Sequence, residues 1–526
     1  MRRISLLAAL CASALLPAAA IAKTMPGSPP FRVVVVDSIG PSQFRKLADL
    51  GAVGLLVPEV GPTTNRRQAV AALVRGAEVN ARLGGVPPGP PLLAASHVST
   101  APETTDDVIV VSLPPRGAPR ANDRRFPIVV IGHGFHGLLE SPTTRIKGLV
   151  SIVDVAPTAL GWSRGSLSAT SSSNPVASLA SLDRQIHANN RLKLPALIII
   201  ACAVALLAAV RPRAALTALL AALLVSVGLG AAQVSSEPLI LAVLIVGTVG
   251  GGLWLSRAFA TDGRLLALIV AVLALHMLLF ALRPSWVALT PLGPTQNSRF
   301  WGVGNQLETL LLAPLLAGAH LAGRRFGGFG FAAFAVFGIV VVTDNRFGSD
   351  GGGAIVFGIA LAFLGARTLR LGARGFVTLL LLAATLVLAL VSYNLGAPGP
   401  DHLRSAFGQG LSGLVRVAEN RVPLAYVPAL HNWPLLLPLA LWFLAAFFLA
   451  LRFAQARASG DLVLALGLAI GTSLLVNDSA AYELVGGVAA LAAVARFKPA
   501  AVAHIVPAFA RRPLPGEPLP NEARRD

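Results

Sequence analysis

From residue 194 to residue 497 the chain runs through about eleven apolar stretches, each near the roughly 20 residues that cross a hydrocarbon core. They centre near 195–210, 214–232, 238–255, 264–282, 306–322, 328–342, 352–366, 375–394, 433–450, 461–476 and 481–495. In lipid every backbone N–H and C=O must be satisfied within the protein, so such stretches fold as helices packed against one another. The third and sixth are Gly-rich, which predicts close helix contacts there. This pattern excludes an ordinary soluble protein. The charge content of 13% points the same way, since soluble domains carry about a quarter.

A formal net charge of +19 raises the question of nucleic acid. The arginines, however, stand singly or in pairs at the ends of apolar runs, as topology-setting charges do beside lipid headgroups, and form no basic stripe. The expected partner is the bilayer, with no nucleic acid. The two cysteines, Cys11 and Cys202, cannot form a CxxC or zinc set. Oligomeric state is not legible.

Residues 1–22 read as a secretory signal or signal-anchor: Arg2 and Arg3, an apolar core, then Ala20-Ile21-Ala22 as an A-x-A site. The segment after it is expected outside the cell membrane. Residues 23–192 have mixed character. Apolar runs at 31–36, 52–57, 107–113 and 127–131 read as buried strands, and 43–50 and 66–83 have helical spacing. Apolar strands alternating with helices predict an α/β domain with a parallel sheet covered on both faces. Residues 165–182 read as a Ser/Ala-rich tether, 193–496 as an all-α polytopic bundle, and 497–526 as a disordered cytoplasmic tail.

With residues 23–192 outside, the inward loops are 211–213, 256–264, 324–325, 367–374, 452–457 and the tail, each carrying at least two basic residues. The outward loop 233–237 carries none and 343–350 carries one. That is the positive-inside pattern. The loop 396–433, with Arg404, Arg416 and Arg421, is the exception, and long translocated loops escape the rule.

Within the exported part, VVVVDSIG, LADLGAVGLLVP and IVVIGHGFHGLLESPTTRIKGLVSIVDVAPTAL resemble the alkaline phosphatase superfamily, which includes sulfatases and cofactor-independent phosphoglycerate mutases. Asp154, Pro157 and Thr158 supply an N-cap and early proline for a helix. The resemblance implies two metal ions, zinc or manganese, beside a Ser or Thr nucleophile. By position Asp37 matches the first metal ligand, Thr63 or Thr64 the nucleophile, and His133 or His136 a late histidine ligand. The chain departs from the pattern after the strand DVIVVS, where Leu113-Pro114-Pro115 replaces an Asp-His pair. A two-metal site is therefore incomplete, and a degenerate, non-hydrolytic domain is favoured over an active one.

Three polar clusters fall at helix ends on the outer face. They are QNSRFWGVGNQLE (296–308), with Arg299, Asn305 and Glu308; TDNRFGSD (343–350), with Asp344, Asn345, Arg346 and Asp350; and Asn477-Asp478-Ser479 with Glu483. Charge at a membrane surface has to be paired or wet, so these form either interhelical locks or a site. Guanidinium forks suit phosphate and carboxylate groups. RFWGVGNQ, DNRFGSDGGG and LLVNDSA are also similar to segments of bacterial multispanning proteins of uncharacterised activity that carry a degenerate phosphatase-like domain outside. His276 reads as a packing histidine; Trp286, Trp301 and Trp433 read as interface anchors. The leading expectation is an envelope membrane protein with an outward site for an anionic lipid-linked or glycan substrate. The alternatives are a metal-dependent phosphohydrolase or phosphotransferase, and a transporter with an exported receptor domain.

Overall fold

The computed structural model describes residues 31–58, 63–77, 91–99, 107–162, 165–297, 299–344, 347–348, 351–396, 433–454, 457–477 and 479–498. The signal read over 1–22, the loop 397–432 and all but the first two residues of the tail lie outside the described residues.

The N-terminal part contributes ten strands: β1 (Arg32–Val36), β2 (Ala52–Val57), β3 (Thr63–Thr64), β4 (Ala95–Val98), β5 (Val108–Ser112), β6 (Arg120–Ala121), β7 (Phe126–Ile131), β8 (Gly137–Glu140), β9 (Leu149–Ser151) and β10 (Ser168–Thr170). The main sheet runs β10-β8-β2-β7-β5-β1-β4, with β9 also pairing β2, while β3 and β6 form a separate ribbon. The sheet is mixed, so the expected parallel sheet is found in part. β1 is parallel to β4 and β5, but β7 is antiparallel to both β2 and β5. Apolar runs report burial on both faces and say nothing of direction. Between Ser112 and Phe126 there is no helix to carry a crossover, only β6, so the chain returns antiparallel.

Alternation sends successive valines to opposite faces. Val33, Val35, Ile109, Val111, Ile128 and Val130 meet Ala69, Ala72 and Leu73 of α2 (Arg66–Arg75) on one side. Val34, Val36, Val108, Val110, Val129 and Ile131 meet Leu47 of α1 (Pro41–Leu50) and Leu179 on the other. Asn65 caps α2 through Gln68 N at 2.9 Å, and Gly76, in the left-handed region at φ 55°, ends it well before residue 83. A short α3 (Val155–Ala159) follows a 3-10 turn at Ile152–Asp154.

The stretch read as a tether is structured. Ser168–Thr170 pairs antiparallel with β8, and Asn174 and Pro175 open α4 (Pro175–Val210). Alanine is the best helix former, so a Ser/Ala-rich composition does not argue against helix. At 36 residues α4 is about 54 Å long. Leu179 packs on the sheet, while Leu197, Ile200 and Val204 lie in the bundle core.

The bundle continues with α5 (Pro212–Ala231), α6 (Glu237–Ala258), α7 (Asp262–Leu282), the short α8 (Pro284–Ala288), α9 (Asn305–Thr343), α10 (Gly351–Thr368), α11 (Ala373–Gly396), α12 (Trp433–Phe453), α13 (Arg457–Val476) and α14 (Ala480–Ala495). Among the described residues nine helices are long and apolar enough to cross a membrane, and α14 is a shorter apolar helix. The chain thus fits a multi-pass membrane protein. α9 holds two of the apolar stretches: Gly327, at φ 68° and ψ −158°, breaks it. The halves fold back on each other, since a Cβ on Gly318 would strike Phe334 at 2.2 Å and one on Gly338 would strike Leu315 at 2.6 Å. Small residues permit that approach.

The basic helix ends gather at one end of the bundle. Arg496 donates to Ala209 O at 3.0 Å, Arg213 pairs with Asp262 at 3.3 Å, and Arg367 pairs with Asp461 at 2.8 Å.

Candidate functional site

The seam between sheet and bundle is built on one polar stripe of α4. Gln185, Asn189 and Lys193 recur every four residues and therefore share a helix face. All three are buried and donate to backbone carbonyls of the connection between α8 and α9. Gln185 Nε2 and Asn189 Nδ2 reach Leu289 O at 3.1 and 2.9 Å. Lys193 Nζ reaches Gly293 O, and Pro294 O at 3.0 Å. Asn190 Nδ2 adds Thr295 O at 2.9 Å. An irregular segment holds position beside a membrane only if its carbonyls find donors, and α4 supplies them. The spacing of Gln185, Asn189 and Lys193 was the available signal, hidden by their place just ahead of an apolar run.

The other side of that connection meets the sheet. Asn122 Nδ2 donates to Asn297 O at 3.4 Å, and Trp301 Nε1 to Thr143 O at 3.0 Å. The Arg145 guanidinium carbon stands 3.6 Å from the Trp301 ring centroid. Val57, Ile146 and Leu149 pack with Ala288, Leu289 and Phe300 beneath. Trp301, read as a lipid anchor, instead docks the α/β domain. Its indole needs an apolar bed and one acceptor, and a neighbouring domain meets that need as well as an interface does.

The edge of the sheet that faces the bundle is the one where β1, β2 and β5 end. Val57 closes β2 there, and Asn122 follows β6, which pairs with Thr63–Thr64. Ligands of α/β folds bind at such carboxyl edges. Asp37 leaves β1 at this edge and pairs with Arg66 at 2.9 Å. His97 Nε2 lies 3.5 Å from Asp37 and 2.8 Å from Arg116, while its Nδ1 meets Val35 O at 2.9 Å. A proton on Nδ1 satisfies the Val35 and Arg116 contacts. Thr63 is half-buried; Thr64 is buried, with no hydrogen-bond partner for its hydroxyl among the described residues.

His133 and His136 follow β7, which runs the other way, so they emerge at the opposite edge. There His133 borders a surface hollow with Leu50 and Asp107. The structure therefore does not bring Asp37 together with His133 and His136 as one ligand set. The reason is strand direction, which the parallel expectation missed. The neighbours of Asp37 are the Arg66 guanidinium and His97, which itself meets Arg116, a surrounding that disfavours a cation. No group of three or more His, Cys, Asp or Glu suited to a metal occurs among the described residues.

At the membrane mouth two of the three polar clusters touch through side chains. Asn477 Nδ2 lies 2.9 Å from Glu308 Oε2, 3.2 Å from Glu483 Oε1 and 2.7 Å from Ser473 Oγ. Glu308 and Glu483 are fully buried, each in the first turn of its helix (α9 and α14), where the helix dipole favours a carboxylate. The 343–350 cluster joins through backbone: Val303 N donates to Gly348 O at 2.7 Å, and Gly302, at φ 88°, leaves room for that carbonyl. Asp344 is buried at the end of α9 and its carbonyl accepts Phe347 N at 2.9 Å. Asn305 opens α9, its carbonyl accepting Thr309 Oγ1 at 3.2 Å. Arg299 is half-buried and its carbonyl accepts Gln296 N at 3.2 Å. Asn345, Arg346, Asp350 and Asp478 lie outside the described residues.

Asp154 does not cap its own helix. Its carboxyl accepts from Ser141 Oγ, from Thr143 Oγ1 at 2.6 Å and from Thr143 N at 3.2 Å, and so organises the loop that meets Trp301. Burial pushes this carboxyl up to about 6, against the opposing pull of those three donors.

No protein family, curated protein or solved structure matches the chain, so the likeness to the alkaline phosphatase superfamily rests on the quoted motifs alone.

Proposed function

We propose that this chain is a multi-pass cell-membrane protein whose seam binds the anionic, hydroxyl-rich headgroup of a lipid-linked or glycan substrate. The α/β domain lies outside and the C-terminus in the cytoplasm. One observation carries the reading. Residues 296–308 are bonded at once to loops of the α/β domain, through Asn297 and Trp301, and to the bundle, through Val303 to the connection between α9 and α10 and through Glu308 to the end of α13. A ligand held there touches both modules. Carboxylates and a carboxamide accept and donate to sugar hydroxyls, and guanidiniums pair with phosphate. The orientation draws support from the arginines gathered at the far end of the bundle, as the positive-inside rule requires.

The α/β domain in this reading is a non-hydrolytic receptor. The separation of Asp37 from His133 and His136 across the sheet favours that over a zinc- or manganese-dependent phosphohydrolase. Native mass spectrometry of protein purified from its own membranes tests the proposal. An anionic lipid adduct is expected on the wild type and is lost in Arg299→Ala combined with Glu308→Gln. An equal adduct on both proteins refutes it.

A further inference from the structure

Arg145 stands out in the seam because its conformation is unusual and its donors are open. It adopts φ 56°, a left-handed backbone that a side-chain-bearing residue rarely takes. Such a conformation persists where its surroundings over-determine it. Here they do: Asp154 holds Ser141 and Thr143, and buried Thr144 donates to Leu149 O at 2.6 Å. The loop is thereby fixed on both sides of Arg145.

The outcome is a guanidinium laid on the Trp301 ring, with Trp301 itself tied to Thr143 O. Stacking uses the face of the guanidinium and leaves its N–H groups, which lie in its plane, free to fork an oxyanion. Arg145 keeps accessible surface although the packing around its guanidinium lowers its pKa to about 10, and its N–H groups take no acceptor among the described residues. Glu140, the acidic residue preceding this loop in the chain, is engaged by Lys147 at 3.4 Å.

We propose that Arg145, stacked on Trp301, is a fork for a phosphate or phosphodiester, and that the bound anion bridges the α/β domain and the membrane mouth. This rests on the proposed seam function and assigns its anion to one residue. The phosphate belongs either to a lipid headgroup or to a soluble phosphate compound.

The test uses the full-length protein in phosphatidylcholine nanodiscs. It is titrated with inorganic pyrophosphate, and in a second series the nanodiscs contain increasing phosphatidic acid. Tryptophan emission is read, with Trp301→Phe defining the share of Trp301, together with the thermal midpoint. A saturable change with a raised midpoint is expected in one series. Pyrophosphate saturation assigns a soluble anion, and a response to phosphatidic acid alone assigns a lipid headgroup. Arg145→Lys keeps the charge but loses fork and stack, and is expected to weaken binding at least about tenfold. Arg145→Ala should weaken it as much, and if that variant fails to fold the lysine variant decides. Wild-type affinity in a folded Arg145→Lys overturns the inference and leaves the seam function standing. No saturable response of the wild type in either series overturns both.

Discussion

The carboxamide of Asn477 donates to the carboxylate of Glu308 across 169 residues of chain, joining the end of α13 to the start of α9. The same nitrogen lies within 3.2 Å of Glu483 at the start of α14, so one neutral side chain stands between two buried acids. Burying a carboxylate is unfavourable unless hydrogen bonds replace water, and here one amide serves two. Three helix ends are thereby tied at the mouth of the bundle.

Asn477→Ala removes that donor from both acids. A loss of about 2–3 kcal/mol is expected, as for other buried hydrogen bonds to charged groups. Thermal unfolding in detergent measures it. Asn477→Asp removes the donor and puts a third carboxyl group against the first two, and should be worse.

The pH dependence of the docked loop arises from Asp154. Its carboxyl titrates near 6 in the folded protein against 3.8 as the ordinary value, so the folded state holds the extra proton between those pH values. Stability from this group is full below about pH 4 and is lost as pH rises to about 6, by up to about 3 kcal/mol. Asp154→Asn lacks the titration. The thermal midpoint of the wild type relative to Asp154→Asn should therefore fall between pH 4 and 7, and a flat difference would contradict the assignment.

Gly302→Ala places a Cβ 2.3 Å from Gly348 O at a residue with φ 88°. Backbone cannot yield as a flexible side chain does. We expect about 1–3 kcal/mol of destabilisation, with faster amide exchange at Val303, whose N–H bonds the same carbonyl.

Asp37 and His133 should act independently, because they occupy opposite edges of the sheet. In a double-mutant cycle with alanine the two stability effects should sum within about 0.5 kcal/mol. A larger coupling would place both residues in one site.

Gln185 and Asn189 both serve the carbonyl of Leu289. Replacing both with leucine leaves a buried acceptor without donors, and about 1–3 kcal/mol is expected to be lost. Hydrogen exchange mass spectrometry should show the opening confined to residues 289–297. The core of the sheet should stay protected.

Much of this architecture was legible in residues alone. Apolar stretches of spanning length have only one way to satisfy their backbone in lipid, so helices at these places are dictated by composition and length. The buried strands of the α/β domain are dictated by β-branched runs for a similar reason. The polar segment 296–308 also declared itself, because charge at a helix mouth is too unfavourable to be incidental. What it touches did not. Trp301 and Asn122 find their partners, Thr143 and Asn297, across 158 and 175 residues, and no local pattern encodes such a pairing. Strand direction was equally hidden, since burial on both faces erases the alternation that would mark an edge or a return. That one reversal, in β7, parts His133 from Asp37. Periodicity and hydrophobicity are local properties that a chain carries with it. Which helix end meets which, and which edge of the sheet faces the membrane, depend on packing between distant segments and exist only once the chain has closed on itself.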